Sequence, residues 1–131
     1  MNLPQVSNQN VESLLNREEI VRQTAEQIMK DFGMFGVEIT FSGNSENAYR
    51  ELFTQLSDQI TLLFERNYDL LLSVLYQVDI SDRDIRKTRL ELPDYTDIEV
   101  IAHQVIVRDL KKVLLRRYFK MRAEEKDGKQ E

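Results

Sequence analysis

The sequence predicts an all-α fold, a compact bundle of four to five helices with one short extended segment near 37–41. Three observations carry this. Only four glycines and two prolines occur in 131 residues, too few for a sheet built on many tight turns. Apolar residues recur at spacings of three and four through most of the chain, the signature of one buried helical face. Two capping boxes, Ser81 with Asp84 and Thr96 with Glu99, announce helix starts, because each pair satisfies two orphan backbone donors. The length fits one domain able to bury a core without staples. With 41% hydrophobic and 31% charged residues, the chain belongs with globular rather than disordered sequences.

The first helix is expected from residue 11 to residue 32. Leu14, Val21, Ile28 and Phe35 repeat every seven residues, with Glu18, Ala25 and Phe32 on the interleaved row. Gly33 follows as the expected stop, since glycine accepts the left-handed conformation after a helix. From Gly36 to Gly43, Val37, Ile39 and Phe41 alternate with Glu38, Thr40 and Ser42. A lone strand cannot satisfy its own backbone. The favoured expectation is an extended loop whose alternate side chains cover the core, with strand pairing as the alternative.

The second helical stretch opens near Ser45 and runs to Ile80 without glycine or proline. Tyr49, Leu52, Phe53, Leu56, Ile60, Leu63 and Phe64 lie on one stripe, which continues through Leu71, Leu72, Leu75 and Val78. It reads as one long helix or as a broken pair, with Asn67 and Asp69 as the break because both favour caps. Residues 70–78 are apolar nearly all round and predict burial on several sides. Ser81 then opens a short helix ending before Pro93, and Thr96 opens the last one. The expected organisation is a flexible N-terminus over 1–9, a single helical domain over 10–122, and a disordered charged tail over 123–131. The two most apolar segments, 70–78 and 98–107, are expected to cross at the centre.

Charge divides the terminal helix. From Arg108 to Arg122 there are seven cations and one acid, Asp109, a net +6, while the remaining 11 cations and 22 acids leave the rest of the chain at −11. At about 100° per residue, Leu110, Val113, Leu114, Tyr118 and Met121 share one side and most cations the other. Leu115 and Phe119 instead project among the cations. Cations near a helix C-terminus are favoured by the dipole, and the acidic remainder of the fold can pair with others. The apolar pair needs a separate reason. Lys112, Leu115, Arg116, Phe119 and Lys120 are therefore the candidate interaction surface.

Other chemistry finds little support. Gly33-Met34-Phe35-Gly36 matches no phosphate-loop spacing, and Ser42-Gly43 lacks the glycine of a nucleophile elbow. Zero cysteines exclude disulfides and thiolate sites. His103 is the one histidine, four residues from Glu99. That pair is a weak metal signal beside the simpler reading of a core-edge histidine near a carboxylate. A calcium loop starting at Asp79 would place Asp84 where glycine is required and Leu90 where glutamate is required. One starting at Asp82 would end on Pro93. No catalytic residue, metal or cofactor is assigned. Residues 1–10 show no signal-peptide pattern, and the longest apolar run falls far short of the roughly 20 residues of a membrane span. A cytoplasmic location is expected.

The run Leu75-Tyr76-Gln77-Val78-Asp79, then Ile101-Ala102, Arg108, Lys112 and Arg116-Arg117-Tyr118, resembles an uncharacterised family of small all-helical bacterial proteins. In these an L-Y-x-V/I-D step leads into a terminal helix with spaced basic residues. The resemblance covers roughly the last half of the chain. It implies a bacterial, cytoplasmic, all-helical protein and carries no catalytic or binding residues. The functional expectation is a non-enzymatic interaction module contacting a protein partner or a second copy of itself, with no membrane. The alternative is an anion- or nucleic-acid-binding module on the basic terminal helix.

Overall fold

The computed structural model describes residues 6–7, 9–10 and 17–129, with side chains to residue 124. Five α-helices follow in order: α1 Glu18–Gly33, α2 Ala48–Arg66 after a short 3₁₀ turn at Ser45–Asn47, α3 Tyr68–Val78, α4 Asp82–Glu91 and α5 Asp97–Lys129. No strand occurs among the described residues. The fold is the all-α bundle that the apolar spacing predicts. Residues 11–16, where the sequence places the start of the first helix, lie outside the described residues, as does most of the expected flexible N-terminus over 1–9.

Local signals set the helix boundaries. Asn67 breaks the long second stretch: its N–H donates to Leu63 O at 2.8 Å, and its side chain accepts from Leu70 N at 3.2 Å. One residue thus closes α2 and opens α3. Both capping boxes form. Ser81 Oγ accepts from Asp84 N at 3.2 Å while Asp84 Oδ2 accepts from Ser81 N at 3.1 Å. Glu99 Oε1 accepts from Thr96 N at 2.9 Å, and Thr96 Oγ1 from Glu99 N at 3.2 Å. The left-handed residue after α1 is Gly36 (φ 74°), not Gly33. Val37 N–H returns to Phe32 O at 3.1 Å, so the turn closes three residues later than the first glycine suggests.

The alternating segment after Gly36 is extended but pairs with no strand. Val37 and Ile39 are buried, while Glu38, Thr40 and Ser42 face solvent. Side chains of α2 take the place of a partner strand. Gln55 accepts from Thr40 N at 2.9 Å and donates to Thr40 O at 2.7 Å. Glu51, one turn earlier, accepts from Ser42 N at 2.8 Å and from Ser42 Oγ at 2.6 Å. The extended backbone is satisfied by a helix face.

The centre of the bundle is α5, which packs chiefly against α1 and α2. Val100, Ala102, Val105, Ile106 and Leu110 are fully enclosed, with Ile28 and Phe32 of α1 and Leu52, Leu56 and Ile60 of α2 in the same core. Each of these apart from the small Ala102 contributes about 1.5–3 kcal/mol on burial. α3 corrects an expectation. Leu71, Val74, Leu75 and Val78 are buried, but Leu72 is exposed and Tyr76 is 88% exposed. The segment is a surface helix with one buried stripe, because α3 sits at the edge of the bundle rather than crossing its middle. α4 is held to α5 by a buried hydrogen bond between Thr88 and Gln104. No helix among the described residues is long and apolar enough to cross a membrane.

Candidate interaction surface

α5 has 33 residues, about 50 Å of helix, and α1 lies antiparallel against its middle. Lys112 reaches Asp31 near the end of α1, and Arg117 reaches Glu19 near its start at 3.1 Å. The side chains from Phe119 to Glu124 are all exposed. The helix nevertheless continues through Ala123 to Lys129, where the sequence reads as a charged tail. Alanine, glutamate and lysine need no buried face to be good helix formers.

The seven cations separate into different groups once their partners are seen. Arg108 pairs with Asp79 at 2.5 Å, Lys112 with Asp31 at 3.3 Å, and Arg117 with Glu19 and, at 3.3 Å, with Gln23. Arg122 lies over the Tyr118 ring at 5.8 Å and donates to its hydroxyl at 3.0 Å. Lys111 has no ion pair closer than 4 Å among the described residues, but its charge reaches Asp84. Burial alone would raise the Asp84 carboxyl; the Ser81 backbone and hydroxyl, helped by Arg108 and Lys111, hold it below its ordinary value. Arg116 and Lys120 have no ion pair among the described residues.

Leu115 and Phe119 stand beside those two cations. They are 40% and 63% exposed, and the Phe119 ring meets the edge of Tyr118 at 5.5 Å between centroids. Leu115, Arg116, Phe119 and Lys120 thus share one exposed stretch of helix. Lys112 does not share it. Its ammonium turns inward to Asp31, to Asp109 Oδ1 at 3.4 Å and to the Gln77 carbonyl at 3.4 Å.

This inward cluster is a site that the sequence reading does not anticipate. Asp31 and Asp109 are both buried, and Gln27 donates to Asp31 at 2.9 Å. Burial pushes the Asp109 carboxyl up to about 8; the neighbouring Asp31 carboxyl adds to the rise, against the pull of Lys112. Two neighbouring buried carboxyls beside one partly exposed ammonium favour the protonated form of Asp109. The available signal was Asp109 itself, a lone acid among cations, bordering Leu110.

His103 is likewise accounted for by packing. Its ring is buried, Nδ1 lies 2.5 Å from the Tyr49 hydroxyl, and Tyr49 and Tyr95 meet it edge-on at 5.8 Å. Glu99 is engaged at its capping box one turn away. Asp79, Asp82 and Asp84, the acids weighed for calcium, fall at the end of α3 and in the first turn of α4, and no group of three or more His, Cys, Asp or Glu that could hold a metal ion occurs among the described residues.

Between α1 and α5 runs a groove of about 380 Å³ lined by Gln23, Glu26, Gln27, Lys30, Val113, Arg116, Arg117 and Lys120. Four cations and one acid face it. Lys30 and the glutamines belong to α1, 80 or more residues from their opposite wall, so periodicity within α5 could not reveal them. No protein-family model, curated protein or solved structure matches this chain. The surface has to be read from its own chemistry.

Proposed function

We propose that this protein is a non-enzymatic interaction module of the bacterial cytoplasm, and that its contact surface is the exposed part of α5 around Leu115, Arg116, Phe119 and Lys120. One observation supports this above others. Arg108, Lys112 and Arg117 of the same helix are paired within the bundle, whereas Arg116 and Lys120 flank an apolar pair left open to solvent. A large exposed aromatic beside arginine is the composition of a binding hot spot, and a Phe119 needed only for folding would be covered. The partner is another protein or a second copy of this chain. Replacing Leu115 and Phe119 together by serine should reduce association in sedimentation and pull-down without unfolding the protein. Unchanged association would remove this surface from consideration.

The alternative is an anion- or nucleic-acid-binding module, and the observation favouring it is Lys30 joining Arg116, Arg117 and Lys120 across the groove. It predicts affinity that falls steeply with salt. Failure to bind mixed-sequence RNA and DNA at low salt removes it.

A further inference from the structure

We propose that the α1–α5 groove receives an acidic peptide segment of a partner protein, with carboxylates held by Lys30, Arg116 and Lys120 and an apolar side chain seated against Phe119. The proposal rests on the interaction-module reading and names the chemistry of the partner. Like charges gathered from two helices repel one another and need a reason. Lys30 on α1 lines the groove with Arg116, Arg117 and Lys120 on α5, and among the described residues Glu26 in the groove and Glu19 at its end are the opposing charges. An added anion converts that mutual repulsion into attraction.

The lining also discriminates between anions. A phosphate group presents only hydrogen-bond acceptors, and the Glu26 carboxylate would repel it. A peptide carries carboxylates for the cations and backbone N–H groups for Glu26. The groove therefore suits a chain with both donors and acceptors. Phe119, exposed next to Lys120, supplies the apolar anchor that distinguishes a peptide with an alternating acidic and apolar pattern from a simple polyanion.

The test uses the full chain and a short fluorescein-labelled peptide of glutamates around a central leucine, followed by anisotropy at low and at moderate salt. Binding at low salt that weakens with salt is expected. Replacing Arg116 and Lys120 by glutamine should weaken it by about tenfold or more, the loss expected for removed charge-assisted contacts. Exchanging the central leucine of the peptide for serine should weaken binding to the wild type but not to the Phe119→Ser chain. No binding at low salt, or equal affinity for the glutamine variant, overturns the proposal. Tighter binding of a single-stranded RNA of equal charge overturns it in favour of phosphate. If the groove variant binds normally while serine at Leu115 and Phe119 lowers association, the groove is excluded and the interaction surface stands. If neither variant has an effect, both readings fall together.

Discussion

Leucines and lysines occur in both halves of α5 and do opposite things there. From Val100 to Leu114 the helix runs through the bundle, with most side chains enclosed. From Leu115 to Glu124 the same helix is an arm whose side chains are largely exposed. Leu114 and Leu115 are neighbours, one buried and one open. Lys112 and Lys120 lie two turns apart, one closing a buried charge cluster and one lining a groove. A residue type does not settle a role along this helix. What stands opposite does.

The largest contrast concerns charge buried in the first half. Asp109 keeps its proton to about pH 8 in the folded chain but loses it near 3.8 when free of the fold. Below about pH 4 both states hold the proton and the contribution is complete. Between about 4 and 8 the folded state binds more protons, so stability falls as pH rises, and the contribution is gone above 8. At 1.36 kcal/mol per unit the full loss is roughly 3–6 kcal/mol. Urea unfolding at pH 5 and pH 9 should show this fall in the wild type and a much flatter profile in Asp109→Asn, which is neutral throughout. Equal slopes in the two proteins would mean that the cluster holds no proton.

A paired substitution asks the same question of lysine. Lys112→Ala leaves Asp31 buried without its cation and should cost about 3 kcal/mol, the low end for a broken buried pair because the ammonium is half-exposed. Lys120→Ala should change stability by no more than about 0.5 kcal/mol. Leucine gives the next contrast. Leu114→Ala should cost about 2–4 kcal/mol through lost burial and a cavity, and Leu115→Ala under about 1. Chemical denaturation reads all four variants. Similar costs within either pair would erase the division. The smallest effect marks the boundary: Arg117→Ala, which removes a half-exposed pair to Glu19, should cost only about 0.2–1 kcal/mol.

Much of this was legible in the sequence, and the pattern of what was not has a physical reason. The capping boxes, the break at Asn67 and the alternation of Val37 and Ile39 are local, because the groups that satisfy one another lie within a few residues. Leu115 and Phe119 were also visible as apolar residues out of phase with their helix face. Lys112 was not separable from Lys120, because its partner Asp31 lies 81 residues away. The same limit hid Gln55 and Glu51 as the partners of the extended segment, and Lys30 as the far wall of the groove. Gly33 and Gly36 fit the left-handed turn equally well by type, and only the Val37-to-Phe32 hydrogen bond chooses between them. For α3 the error was one of counting. Apolar content suggested burial all round, while Tyr76 and Leu72 lie on a face that no described element covers.

Sedimentation of the wild type beside the Leu115→Ser, Phe119→Ser double variant, alone and with any captured partner, tests the division of α5 most directly. The predicted result is a variant with an unchanged unfolding midpoint and a clear loss of association. A variant that associates as the wild type does, or one that unfolds readily, would contradict it, because the arm would then be either idle or part of the core.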